Sequence, residues 1–530
     1  MARFLNPNGA PFKESLRTRI YEDKSAMIEF INQQICTRDK YICVSRPRRF
    51  GKSMALDMLA AYYCLGRDYK ELFKDSDIAS MPSFEEHLNK YNVLKINMQD
   101  VWSKTHSIKG MLGKLVDGIA ADLLYAYPDV VYHDKSDVFQ IMEDIYDEVE
   151  IPFVILIDEW DCLFRVCQGD TEAQKTYLDF LRLWLKDKSY IGLVYMTGIL
   201  PIHKYGTHSA LNMFIEYSIT NPRGLAAYFG FTDDEVQKLC KTYHMDYTEI
   251  KSWYDGYELL ATSPGVCIKY SMYSPKSVVE AINSGKCDTY WNNTETYEAL
   301  KIYIKMNYNG LKDDVVAMLA GESVPVDINT FGNDMTTFHS KDDIMTLLVH
   351  LGYLTYDSEH ETVSIPNREV AREYITAIKT MKWPEVTRAI SASEKLLQAL
   401  MDGNEEAVAE GMDMAHNEIS ILKYNDENSL SCAIHLAFYA ARDCYNMVRE
   451  LPAGRGFADI VLQPRPMYAD KPAILIELKW DKDADTAIRQ IHEKCYDGAL
   501  KGYADEVILA GISYDKTSKK HQCVIEKVKL

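Results

Sequence analysis

At 530 residues the chain is too long for one compact core, and about 150 residues per domain predicts three or so domains. Its 47% hydrophobic and 26% charged residues fit a soluble globular protein, and no run of about 18 apolar residues exists to span a membrane. A net charge of −19 argues against a protein that coats nucleic acid non-specifically, yet leaves room for local basic clusters at Arg46 to Lys52 and Lys516 to Lys520. The N-terminal stretch MARFLNPNGAPFKESLRTRI lacks the apolar core of a signal peptide, and the 12 cysteines show no C-x-x-C pair. Reduced thiols in a cytoplasmic protein are the expectation.

In chain order, apolar residues at helical spacing mark a helix over Ser25 to Cys36. A strand follows at Tyr41 to Ser45, then a helix over Lys52 to Tyr63. Asn92 to Met98 reads as a strand, and Ile108 to Tyr127 and Asp137 to Glu148 as helices. Phe153 to Ile157 (FVILI) is a continuous apolar run, as in a parallel strand covered on both faces. A helix at Thr171 to Lys186, a strand at Ile191 to Met196 and a short strand at Tyr217 to Thr220 complete a β/α alternation. That alternation predicts a doubly wound parallel sheet whose ligands sit beyond the strand carboxyl ends.

After Pro222 the pattern changes. Thr232 and Glu235 form a capping box at a helix start. Trp253 to Tyr257 reads as a turn, and Asp342 to Leu354 as a helix leading into strands at Tyr353 to Tyr356 and Thr362 to Ile365. Glu394 to Leu422 reads as an unbroken helix and Leu430 to Val448 as another. Strands at Phe457 to Leu462, Ala473 to Leu478, Glu506 to Ile512 and Gln522 to Val528, with a helix at Thr486 to Ala499, make a second α/β unit. The expected domains are 1–222, a mostly helical middle over 223–382, and 383–530.

Two clusters carry chemistry. The first is YICVSRPRRFGKS, where Gly51-Lys52-Ser53 sits at a strand-to-helix turn. Lys52 suits the β- and γ-phosphates of ATP and Ser53 its Mg2+. Asp158, at the end of the apolar strand, suits the same ion, Glu159 the attacking water, and Thr197 the γ-phosphate. Arg48 and Arg49 either add charge at the phosphates or lie on the surface. Arg46 occupies the place of the first glycine of the usual loop, and Pro47 pushes it toward extended backbone, so the loop must differ from that pattern. Taken singly, a Gly-Lys-Ser is often only a helix cap and an Asp-Glu only a solvated turn. The ordered set of strand, GKS, helix, strand and DE is what points to a nucleotide.

The second cluster lies near the C-terminus. Glu477 and Lys479, two apart on a strand, face one side, and Asp459 comes from the neighbouring strand behind Gly454 and Gly456. Asp459 and Glu477 offer hard oxygen ligands for Mg2+, and Lys479 can orient or deprotonate a bound water for attack on a phosphodiester. Gln490 on the next helix can support the site. E-x-K alone is common on exposed strands; the aspartate and the glycine-rich approach set this instance apart.

Residues 15 to 260 resemble a family of AAA-ATPase-like proteins through SRPRRFGKSMALDMLAAYY, VILIDEWDCLF, YMTGILPI, EYSITNPRGLAAYFGFTDDEV and SWYDGY. LGYLTYDSEHETVSIPNREV resembles the connecting region of that family, and GRGFADIVLQPRPMYADKPAILIELKWDKDADTAIRQIHEK its C-terminal PD-(D/E)XK nuclease-superfamily domain. The resemblance implies an α/β chain with a P-loop NTPase parallel sheet, a helical middle and a restriction-endonuclease-like C-terminal domain. It assigns Lys52 and Ser53 to phosphate and magnesium, Asp158 and Glu159 to magnesium and water, and Asp459, Glu477 and Lys479 to the nuclease core. Arg46 agrees with the family's own loop. The further carboxylate many such nucleases carry on an early helix is not evident, Glu427 being the nearest candidate. Arg223 is expected in a salt bridge, with an arginine finger in a homo-oligomer as the alternative. The function expected is an ATPase coupled to a metal-dependent nuclease acting on nucleic acid, DNA before RNA. A nucleotide-dependent switch with an inactive nuclease fold is the competing reading, and a kinase acting on a small molecule ranks last.

Overall fold

The computed structural model describes residues 4–202, 211–263, 266–291, 300, 310–332, 338–381, 384–418, 434, 437–453, 456–465, 468–494 and 506–529. The chain forms two units built from interleaved stretches. One holds Met1–Ile250, Tyr254–Tyr290 and Pro325–Pro366; the other holds Lys251–Trp253, Trp291–Val324 and Asn367–Leu530.

The first unit holds strands β1 (Tyr41–Ser45), β2 (Asn92–Asn97), β3 (Phe153–Asp158), β4 (Ile191–Gly198) and β5 (Ile215–Tyr217), the last ending at Tyr217, where the expected strand Tyr217 to Thr220 was to begin. They pair in parallel in the order β2-β3-β4-β1-β5. Every residue of β1, β3 and β4 is buried, which is why these segments read as continuous apolar runs and not as alternating ones. The register sets Val44 against Thr197 and Asn97 against Asp158, so the strand ends lie level. The helix Lys52–Tyr63 leaves β1 through Gly51, whose φ of +91° suits a residue without a Cβ. Its inner face adds Leu56, Leu59 and Tyr63 to the core.

Thr232 and Glu235 form the expected capping box at the helix Asp233–Tyr243. Trp253 and Tyr254 depart from the turn expected of them, ending the helix Tyr247–Tyr254. Gly256 makes the turn, with φ +119° and a position where a Cβ would come within 1.8 Å of the Pro366 carbonyl oxygen. An antiparallel hairpin not read from the sequence follows, β7 (Tyr257–Ser263) and β8 (Val266–Tyr273), and β8 also pairs with β6 (Phe231–Thr232). The strands Thr355–Asp357 and Thr362–Ser364 pair much as expected.

In the second unit the long helix expected from Glu394 is two helices, Pro384–Asp402 and Glu405–Glu418, broken where Gly403 takes φ +78°. The helix expected to run through Val448 is overturned at its end. A 3-10 turn at Tyr439–Asp443 leads instead into β9 (Tyr445–Ala453). Strands β10 (Gly456–Pro464), β11 (Ala473–Trp480), β12 (Glu506–Asp515) and β13 (Lys520–Lys529) follow. The five run in the order β9 to β13, with only β11 and β12 parallel. The helix Ala484–Lys494 buries Ile488 and Ile491 against Val461, Leu475, Val507 and Leu509. No described helix is long and apolar enough to cross a membrane.

Candidate nucleotide and nuclease sites

The loop between β1 and its helix is anchored from beneath. Arg46 is fully buried, and its guanidinium donates to the carbonyl oxygens of Ser45 at 2.9 Å, Tyr217 at 2.7 Å and Leu225 at 3.4 Å. It also lies 5.4 Å from the centre of the Phe229 ring. Burial pushes it down to about 9, still protonated at neutral pH. The loop's left-handed positions are Arg49, φ +70°, and Gly51. Arg46 is not among them, which resolves the conflict between a Cβ and a glycine-only conformation. Arg49 donates to the Tyr290 carbonyl at 2.9 Å, and Arg48 is half-buried. Phe50 meets the Tyr257 ring edge-on at 5.1 Å, and its carbonyl accepts the Gly230 N–H at 3.1 Å.

Lys52 is buried inside this loop and donates to the carbonyl oxygens of Arg46 at 2.9 Å and Pro47 at 2.8 Å. Burial lowers its pKa, against the pull of Glu159, Asp158 and Asp161. The Asp158 carboxylate gathers three donors: Ser53 Oγ at 2.7 Å, Thr197 Oγ1 at 2.5 Å and the Glu159 N–H at 3.0 Å. Ser53, Asp158 and Thr197, spread over 145 positions of sequence, therefore meet at one carboxylate. Glu159 is next to them with φ +53° and is ion-paired with Arg165. Burial raises the Glu159 pKa, and Arg165 pulls it back.

Two residues of this site were not read from the sequence. Arg165 Nε lies 3.5 Å from Asp161 Oδ2, and that oxygen accepts the main-chain N–H groups of Ile199 at 3.0 Å and Leu200 at 2.9 Å. The spacing of four between Asp161 and Arg165 was the available signal. Arg223 is exposed with φ +47° and lies 5.9 Å from the centre of the Tyr217 ring. No carboxylate comes within ion-pair distance of it among the described residues, so the salt bridge expected for it is absent there.

In the second unit, Ile460 pairs with Ile476, and the same register carried one residue further sets Asp459 opposite Glu477. Asp459 Oδ2 accepts the Leu478 N–H at 2.7 Å. Glu477 is buried, with Oε1 accepting from Lys479 Nζ at 3.0 Å and from the Gln490 amide. Lys479 Nζ also donates to the Leu478 carbonyl at 2.8 Å. Glu477 Oε2 is buried with no hydrogen-bond partner among the described residues. Burial and the neighbouring Asp459 charge push Glu477 up to about 7, and Lys479 opposes them. An unpaired buried carboxylate oxygen is costly in a packed protein, and a hard cation is one group that satisfies it. Glu427 and Gly454 lie outside the described residues.

A family model described as predicted AAA-ATPase matches residues 12–207, and one described as PD-(D/E)XK nuclease superfamily matches residues 425–523. The chain carries a predicted AAA-ATPase-like domain at residues 12–207 and a C-terminal PD-(D/E)XK nuclease-superfamily domain at residues 425–523. The AAA-ATPase match contains Lys52, Ser53, Asp158, Glu159, Arg165 and Thr197; the nuclease-superfamily match contains Asp459, Glu477, Lys479 and Gln490. No curated protein matches this chain. Among solved structures it is similar to the ORC2 protein of Aeropyrum pernix in ADPNP and ADP complexes, at 9% identity and a TM-score of 0.33, covering 71% of this chain and 98% of that one. It is also similar to the ORC1 protein of Aeropyrum pernix in complex with DNA, at 10% identity and a TM-score of 0.24, covering 94% and 100%.

Proposed function

We propose that this protein binds and hydrolyses ATP in its N-terminal domain and uses that cycle to control metal-dependent cleavage of nucleic acid, DNA before RNA, in its C-terminal domain. The ATPase occupies 1–222, a middle domain 223–382, and the connector with the nuclease 383–530, in a cytoplasmic protein. The observation that carries the reading is the buried Oε2 of Glu477, unpaired among the described residues, beside Asp459 and Lys479. A purely structural ion pair has no use for a stranded carboxylate oxygen, whereas a cation-binding carboxylate does.

At the ATP site Lys52 holds phosphate oxygens, exchanging the loop carbonyls for them. Ser53 and Asp158 are the residues that would hold Mg2+, and Thr197 orients Asp158. Glu159 takes a proton from the attacking water. At the nuclease site Asp459 and Glu477 would hold the divalent ion, with Gln490 and Lys479 fixing Glu477. A bound Mg2+ would supply an acidified water and neutralise charge on the phosphodiester. Lys479, held beside Glu477, would orient a water there and offset the accumulating negative charge.

The test is purified full-length protein with ATP, Mg2+ or Mn2+, and a mixture of DNA and RNA substrates. Cleavage that Asp459→Ala and Lys479→Ala each abolish is the expected result; unchanged cleavage in both sinks the assignment. The competing reading, a nucleotide switch with an inactive nuclease fold, draws on one observation. No cluster of three or more metal-ligating side chains occurs among the described residues. It predicts ATP binding that Lys52→Ala removes and no cleavage with either metal.

A further inference from the structure

We infer that Arg165 is a positioning residue for ATP hydrolysis, fixing the Glu159 carboxylate and tying it through Asp161 to the main chain just past Thr197. The inference rests on the ATPase reading above and names what holds its base.

Glu159 adopts a left-handed backbone conformation, φ +53°, which is strained for a residue with a Cβ. It is held there on both sides, by its own N–H on Asp158 at 3.0 Å and by the Trp160 N–H on the Thr197 carbonyl at 3.0 Å. The backbone is thus set, but a glutamate side chain keeps several rotatable bonds. Arg165 removes that freedom. It comes from the short helix Cys162–Val166, and its side chain is only 12% exposed. One end of its fork pairs with Glu159 Oε2, and its Nε faces Asp161 Oδ2. Asp161 in turn grips the N–H groups of Ile199 and Leu200. Glu159, Arg165, Asp161 and the end of β4 thus form one chain of contacts. The strand that carries Thr197 and the carboxylate that meets the water move together. A planar fork reaches two carboxylates at once, which a lysine ammonium does less well. Gly198 leaves room for this arrangement, since a Cβ there would lie 2.9 Å from Asp161 Oδ1 and 2.6 Å from the Trp160 indole nitrogen.

The experiment is single-turnover ATP hydrolysis and binding of a fluorescent ATP analogue by the full chain, for the parent, Arg165→Ala, Arg165→Lys, Glu159→Gln and the Glu159→Gln/Arg165→Ala double variant. Arg165→Ala should lower kcat roughly ten- to a hundredfold while KM and analogue affinity stay within about threefold. Arg165→Lys should recover part of the loss. In the Glu159→Gln background Arg165→Ala should cost nothing further, because it acts through the residue already removed. If the alanine variant does not fold, Asp161→Asn, which cuts the tether and keeps the Arg165–Glu159 pair, should lower kcat without changing KM. An equal fold-loss in the Glu159→Gln background, or a loss of analogue affinity matching the loss of rate, overturns the inference. A parent that hydrolyses ATP through Glu159 while Arg165→Ala turns over normally overturns it alone. A parent with no Glu159-dependent hydrolysis overturns the ATPase reading and this inference with it.

Discussion

Cation binding at the proposed Asp459–Glu477 site should depend on pH, because the Glu477 carboxyl is buried. Burial, then the Asp459 charge, raise it from 4.5 to about 7, while Lys479 pulls it back. A carboxylate must lose its proton to hold a cation. At pH 6 about one-tenth of the groups are ionised and at pH 8 about nine-tenths, so apparent affinity should fall about tenfold per pH unit below 7 and level off above it. Calorimetric titration of the full chain with Mn2+ at pH 6, 7 and 8, without nucleotide, measures this directly. Glu477→Gln should lose most of the affinity and all of the pH slope. The same group also affects stability. Because its folded pKa lies above its unfolded one, its contribution is fully present below about pH 4.5 and is lost as pH rises through about 7. The rise from 4.5 to about 7 corresponds to about 3 kcal/mol. In a chelator, chemical denaturation should therefore give a less stable C-terminal domain at pH 8 than at pH 6, with saturating Mn2+ closing the gap. Affinity for Mn2+ that is equal at pH 6 and 8, or a Glu477→Gln slope matching the parent's, would refute the reasoning.

Gly256→Ala should cost at least about 3 kcal/mol, since φ +119° and a 1.8 Å approach to a carbonyl oxygen act together, whereas Gly285→Ala, at φ +68° in open space, should cost about 1 kcal/mol; equal losses in urea denaturation would contradict this. Thr232→Ala removes one side of the capping box and should destabilise by about 1 kcal/mol in the same assay. Lys52→Ala should weaken binding of the ATP analogue by roughly thirtyfold or more, because a buried charge for the phosphates is lost. Thr197→Val removes a hydroxyl 2.5 Å from Asp158 and should slow ATP turnover roughly ten- to a hundredfold while leaving analogue affinity nearly unchanged.

The parallel sheet was legible because its strands are buried on both faces and so read as apolar runs between helical patterns. Ser53, Asp158 and Thr197 were legible because each ends or follows such a run, and parallel register carries those ends to one edge. The hairpin Tyr257 to Tyr273 was harder. YELLATS shows no clean alternation, although the Pro264-Gly265 pair after it is a turn signal. Tyr445 to Val448 has helix-compatible residues, and pairing with β10 decides its conformation. Arg46 was legible as an oddity but not as an anchor. Its partners, the carbonyls of Tyr217 and Leu225, lie more than 170 residues away, and a main-chain carbonyl leaves no mark in sequence.

Because Arg46 pins the loop after β1 to β5 and to the turn at Leu225, that loop, the proposed phosphate loop, should already be ordered before nucleotide binds. A glycine-rich loop closes around its ligand and loses backbone entropy in doing so. A loop fastened beneath by a buried arginine has little such entropy left to lose. Nucleotide association here should accordingly be a single kinetic phase, with a rate that rises linearly with nucleotide concentration and shows no plateau from a slow loop closure.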